Sequence, residues 1–377
     1  MSGPLRQVAD SFFRPALDNL VPYEPGKPVE EVQRELGLAQ VVKLASNEDP
    51  HGPYPGALEA LERVSRELNR YPDAGCYRLR AELAELNDVR IDEVAVGSGA
   101  DGLVDCLSQA ALGPGDEIVY GWPSFPSYGI YALKFGAQPR AVPLREHRYD
   151  LDAMLDAIGP RTKLVYVCLP NNPTGTTNTR DELDRWFERV PDYVLTVIDQ
   201  AYLEYVVDPG YPDALEEYFK HGRQVLVLRS FSKIYGLAGL RVGYAVGPAP
   251  VVEALGKMRR AFDLTTPANE AALASLQQVA EMERRRDLNA AARPELERIL
   301  RAHGLDPVGP AVANFAYVEL GEDARPFFER LLRAGVIVRP LHGFGASQAI
   351  RVSVGTAEEH AFLDTALSAV EEAPQSR

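Results

Sequence analysis

The chain has 377 residues, 46% hydrophobic and 25% charged, with a formal net charge of −14. Its length suggests about two domains, and its negative charge argues against nucleic acid or an anionic membrane as the main partner. No window approaches ~18 consecutive apolar residues, so no membrane-spanning helix is expected, and the start, MSGPLRQVADSFFRP, lacks the apolar core of a signal peptide.

Residues 1–45 read as an N-terminal arm. There VPYEPGKPVEEVQRELG carries three prolines and then a short amphipathic helix closed by Gly37. Residues 55–70 space Leu58, Leu61, Val64 and Leu68 as a helix does, and 78–87 form another. Beyond about 90, short apolar runs alternate with helical segments. The strands are predicted at Glu93–Val96, Glu117–Tyr120, Leu164–Leu169, Val194–Ile198 and Val225–Leu228. Their nearly continuous apolar character suits parallel strands covered on both faces. A helix at Asp181–Glu188 follows Asn178 and Thr179. Near Pro267 the character changes to one long helical region stopping at Gly304, with Pro294 expected to break or kink it. AVANFAYVEL, VIVRP and AIRVSVG then read as strands, and ARPFFERLLRAG and the segment from Glu358 as helices. The expected fold class is α/β: a large three-layer α/β/α domain with a mostly parallel sheet (46–265), a smaller α+β domain (266–377) and the arm, which packs with the small domain.

Ligands of open α/β sheets collect at the carboxyl ends of the strands. Those ends read GSGAD after the first strand, PNNPTG after the third, Asp199 and Tyr202 after the fourth, and RSFSK with Arg241 after the fifth. Lysines are mostly solvated, but Lys233 follows an apolar strand and two serines, where lost solvation lowers its pKa and suits Schiff-base chemistry. Asp199, directly after TVI, sits at the edge of the core and needs a cationic partner. Gly97, Gly99 and Gly102 form G-x-G-x-x-G, yet the next strand ends Val119-Tyr120-Gly121-Trp122 without the acidic residue that a dinucleotide site wants. Cys76, Cys106 and Cys168 show neither a disulfide framework nor a metal spacing, which fits a reducing cytoplasm. The six histidines have no metal spacing, so no metal is expected. The charge run EMERRR (281–286) reads as an exposed helix face.

SFSKIYGLAGLRVGY (230–244) resembles the lysine segment of the fold-type I pyridoxal-phosphate aminotransferases of class I/II. PNNPTG (170–175) and DQAY (199–202) are similar to that family's other two signatures. VPYEPGKPVEEVQRELG, KLASNEDPHGP, NRYPDAGCYRLRAELA and AIRVSVGT resemble its histidinol-phosphate aminotransferase branch, over nearly the whole chain.

The resemblance implies pyridoxal 5'-phosphate held by Lys233 as a Schiff base. It implies that Asp199 keeps the pyridine nitrogen protonated, that Asn172 and Tyr202 bond the ring oxygen and that Phe125 stacks on the ring. Ser230, Ser232, Arg241 and the backbone of Gly99, Ala100 and Asp101 would bind the phosphate. Tyr71 would reach it from a neighbouring subunit, which makes the active unit a homodimer with a shared site. Lys233, Asp199 and Tyr202 would be the catalytic residues. Arg351 would grip a substrate carboxylate, with Tyr23, Asn47, Asn172 and Arg339 also lining the substrate pocket.

The implied reaction passes an amino group from a small-molecule donor to a 2-oxo acid, with glutamate and 2-oxoglutarate as one pair. An aromatic amino-acid aminotransferase is implied as well, because GWPSF, RYPDAGC and FSKIYGLAGLR suit such relatives equally, and so is a decarboxylase or lyase on the same fold, because Arg351 with a complete C-terminal domain fits all three. Gln200 stands where that family usually has glutamate, and Asp49 where it usually has asparagine.

Overall fold

The computed structural model describes residues 12–22 and 26–372. Its strands are β1 (Val42–Lys43), β2 (Val94–Gly97), β3 (Glu117–Trp122), β4 (Gln138–Pro143), β5 (Thr162–Cys168), β6 (Leu195–Asp199), β7 (Val225–Ser230), β8 (Gly243–Val246), β9 (Phe315–Glu319), β10 (Val336–Ile337), β11 (Arg339–Leu341) and β12 (Ala346–Ser353). Its α-helices are α1 (Val29–Leu36), α2 (Pro55–Val64), α3 (Tyr77–Leu86), α4 (Gly99–Ala111), α5 (Ser127–Lys134), α6 (Leu151–Asp156), α7 (Arg180–Arg189), α8 (Ala249–Met258), α9 (Thr266–Leu276), α10 (Val279–Ala302), α11 (Ala324–Arg333) and α12 (Ala357–Glu372).

Seven strands form one sheet in the order β2-β8-β7-β6-β5-β3-β4. Every neighbouring pair is parallel except the two that β8 makes. Strands β6 and β7 are buried along their whole length, which is why they read as unbroken apolar runs. Strand β4 was not expected from sequence. It is an edge strand, largely exposed and bearing Pro139 and Pro143, so it lacks the apolar run. Strand β8 lies inside the segment that follows Lys233 and was also missed. At α7, Thr179 accepts from the Glu182 N–H while the Glu182 carboxylate takes the Thr179 N–H, a capping box.

The 266–304 region departs from expectation. It is two helices separated at Gln277–Gln278, and α10 continues through Pro294. The face of α9 bearing Ala268, Ala271, Ala272 and Leu276 is buried in the core of the large sheet. A second core joins β9 and β12 to α10 and α12 through Leu296, Val318, Ile350, Val352 and Leu363. VIVRP does not form one strand: β10 pairs with β1, and β11 begins the antiparallel sheet β11-β12-β9. The arm helix α1 sets Val32 against Ala45, Leu332 and Ile337. EMERRR is not simply an exposed face either. Arg285 is buried, because it turns in to meet Asp49 at 2.5 Å while keeping its i,i+4 pair with Glu281. Among the described residues no helix is long and apolar enough to cross a membrane.

Candidate active site

Parallel pairing sets the ends of β5, β6 and β7 side by side. Cys168 lies opposite Asp199, and Asp199 opposite Leu228. The segments that follow those ends, together with the turn after β2, line one cavity of about 310 Å³. The large sheet contributes Ala100, Asp101, Phe125, Asn172, Asp199, Tyr202, Ser230, Ser232, Lys233 and Arg241 to its wall. The 45–48 segment adds Asn47, and β11 and β12 add Arg339 and Arg351. Gly99 does not line the cavity, but it starts α4 at φ +77°. That left-handed conformation favours glycine, and it leaves room for Arg241 Nη2, which would lie 2.9 Å from a Cβ there. Tyr71 is not brought to this cavity: it is 81% exposed and stacks on Phe262 at 4.4 Å. Tyr23 lies outside the described residues.

Lys233 Nζ donates to the Ser46 carbonyl at 3.3 Å and sits 5.4 Å from the Tyr202 ring centre. Burial, then the Arg351 charge, lowers its pKa to about 8, against a weaker upward pull from Glu48. Burial raises the Asp199 carboxyl above the ordinary carboxylate value, opposed by a 2.8 Å hydrogen bond from the Tyr128 hydroxyl and one from the Ala201 N–H. Tyr128 was missed from sequence. It is fully buried and stacked on Tyr166, three residues after Phe125. Arg351 donates to Asn172 Oδ1 and, at 2.7 Å, to the Ala45 carbonyl, with its guanidinium between the Phe315 and Phe344 rings. Arg339 lies 5.6 Å from the Phe344 ring on the same side. Gln200 points away from the cavity: its amide engages Tyr211, Pro212 and Arg229.

These residues fit a pyridoxal phosphate. The wall near α4 is anion-favouring: a helix N-terminus, two serine hydroxyls and the Arg241 guanidinium meet there. The other end holds a buried carboxylate, Asp199, that makes no ion pair among the described residues and suits a protonated ring nitrogen. Gly243 packs so tightly under the α4 entry that a Cβ would fall 2.4 Å from the Ala100 nitrogen. Among the described residues no group of three or more histidine, cysteine and acidic side chains is arranged to hold a metal ion.

Residues 39–370 match the family model for aminotransferase class I and II. A histidinol-phosphate aminotransferase from Moorella thermoacetica is 43% identical over 92% of this chain and 90% of its own length. Histidinol-phosphate aminotransferase 1 of Nitrosococcus oceani is 39% identical over 97% of this chain and 100% of its own. Among solved structures, the histidinol-phosphate aminotransferase of Sinorhizobium meliloti in complex with pyridoxal 5'-phosphate superposes with a TM-score of 0.85 at 28% identity, covering 96% of this chain and 98% of that one. A Thermus thermophilus aspartate aminotransferase gives 0.81 at 26% identity over 94% and 98%.

Proposed function

We propose that this chain, which belongs to the class I and II aminotransferases, uses pyridoxal 5'-phosphate to exchange an amino group between histidinol phosphate and 2-oxoglutarate, the reaction running in histidine biosynthesis from glutamate and imidazole-acetol phosphate to histidinol phosphate. The observation that carries the reading is the meeting of Lys233, Asp199 and Arg351 in one cavity at the carboxyl ends of β5, β6 and β7. The named relatives at about 40% identity over nearly the full chain support the substrate.

When bound, the cofactor supplies an aldehyde that takes up the amino group and a cationic ring that accepts electrons from the substrate Cα. The chain does the rest. Asp199 holds a proton at the ring nitrogen, and Tyr128 holds Asp199. Tyr202 and Asn172 orient the ring through its oxygen, and Phe125 covers a face. Ser230, Ser232, Arg241 and the start of α4 bind the phosphate. Lys233, poised near pH 8, would carry a proton between the substrate Cα and the cofactor carbon C4′.

Arg351 and Arg339 place cations at two points of one cavity. That suits a site which must hold a phosphate monoester in one half of the reaction and a dicarboxylate in the other. It favours this pair over phenylalanine. Asn47 and Tyr23 complete the substrate pocket in this reading.

The chain divides into the arm (1–45), the cofactor-binding domain (46–265) and the small domain (266–377), with α9 packed back on the large core. The unit is a cytoplasmic homodimer in which Tyr71 reaches the partner's phosphate site. Steady-state assays with 2-oxoglutarate as acceptor test the reading: kcat/KM for histidinol phosphate should exceed that for phenylalanine by at least about a hundredfold. A ratio near one would replace it with an aromatic aminotransferase.

A further inference from the structure

We propose that Ser353 is a positioning residue that aims the Tyr202 hydroxyl at the cavity by locking the amide of Asn47. This rests on the cofactor reading above.

Ser353 is the last residue of β12, two beyond Arg351, so strand alternation sets both side chains on one face. Its hydroxyl makes two bonds to one residue 306 positions away. Ser353 Oγ accepts from the Asn47 backbone N–H at 2.9 Å and donates to Asn47 Oδ1 at 3.0 Å. The serine has a single hydrogen to give, and it goes to Oδ1. The amide is therefore held with Nδ2 outward, donating to the Tyr202 hydroxyl oxygen at 3.0 Å. That fills an acceptor position of the phenol and leaves its own hydrogen to point into the cavity that Tyr202 lines.

The backbone of Asn47 is fixed as well. It takes φ 55°, and its carbonyl accepts from Asn314 Nδ2 at 3.2 Å. Asn47, Ser353, Asn314 and Tyr202 are all buried. Without the serine hydroxyl, the amide is free to turn and present Oδ1 to Tyr202. The phenol would then donate to Asn47, and its hydrogen would leave the cavity. Other groups facing the phenol are Lys233 over its ring, Phe315 at its edge, and the Arg351, Asp199 and Cys168 charges or thiol nearby. Apart from these, the Asn47 amide is the group hydrogen-bonded to the phenol oxygen, and Ser353 of β12 sets its orientation.

The chain thus ties the strand that carries Arg351 to the hydroxyl beside Lys233. In the cofactor reading, a phenol hydrogen on the ring oxygen stabilises negative charge there and loosens the proton shared next to it. Removing it tightens that proton.

The test is a pH titration of the visible absorption of the protein reconstituted with pyridoxal phosphate, which needs no turnover. Ser353→Ala should raise the midpoint by about one unit, a tenfold gain in proton affinity. Ser353→Thr, which keeps the hydroxyl, should leave it in place. Tyr202→Phe should raise the midpoint too, and adding Ser353→Ala to it should add nothing, because both act through one hydroxyl. Should Ser353→Ala fail to fold, Ser353→Val, which fills the shape of threonine without its hydroxyl, carries the same expected shift. A Ser353→Ala protein with a lower Tm and an unmoved midpoint overturns the proposal and leaves the function standing. A wild-type protein that develops no visible absorption with pyridoxal phosphate overturns both.

Discussion

At Lys233 two effects oppose each other: burial and the Arg351 guanidinium push the ammonium down from 10.5 to about 8, and Glu48 and Asp199 pull it up. Desolvation wins, so a useful share of the amine is neutral at cellular pH. The prediction is that cofactor-free protein recombines with pyridoxal phosphate at a rate that rises with pH through about 8 and then levels. A rate still climbing near the ordinary lysine value of about 10.4 would show that the amine is not desolvated. Lys233, Asp199 and Asn172 were legible because they sit at or just after strand ends in short segments with one recognisable chemistry each; Arg351, inside β12, was legible only through the resemblance. Tyr128 was not. It lies in the first turn of α5, and only the packing of that helix against β3 and β4 brings its hydroxyl to Asp199. Ser353 was hidden for the same reason: its partner is 306 positions away.

Among elements, the turn after β6 carries a second consequence of burial. Glu204, in the short helix Leu203–Tyr205, is buried and raised from 4.5 to about 7, chiefly by desolvation, with Arg229 opposing. Its proton is held more tightly folded than unfolded. Its contribution to stability is therefore full below about pH 4.5 and is lost as pH rises through about 7. Glu204→Gln, which keeps the shape and stays neutral, should flatten that loss. Urea unfolding at pH 5 and pH 8 should show the wild type losing on the order of 3 kcal/mol more than the variant between the two. Equal losses would mean that Glu204 is ionised at no cost. At this scale the central strands were legible from apolar runs alone. The edge strand β4 was not, because exposure removes the run, and β8 was masked by the glycines around it. The split between α9 and α10 at Gln277–Gln278 carries neither proline nor glycine to announce it.

For the whole molecule, the cavity draws on residues from 45 to 351 and on two sheets, and the buried Asp49–Arg285 pair ties the 46–53 loop to α10 beside it. The stacked pair Tyr71–Phe262 faces outward, with Tyr71 81% exposed. In the dimer reading a second copy covers it. Mixing a Tyr71→Ala protein with a Lys233→Ala protein should then restore up to about a quarter of wild-type sites, since half the dimers are mixed and each mixed dimer holds one intact site. No gain on mixing would place Tyr71 outside the partner's site.

The most direct test of the central claim is one half-reaction. Wild-type and Lys233→Ala proteins, reconstituted with pyridoxal phosphate, are each mixed with histidinol phosphate, and the visible absorption is followed without any acceptor. The account predicts rapid loss of that absorption in the wild type, faster than with phenylalanine, and little or no such change with Lys233→Ala. Slow bleaching by histidinol phosphate beside rapid bleaching by phenylalanine, or an equal rate with Lys233→Ala, would contradict it.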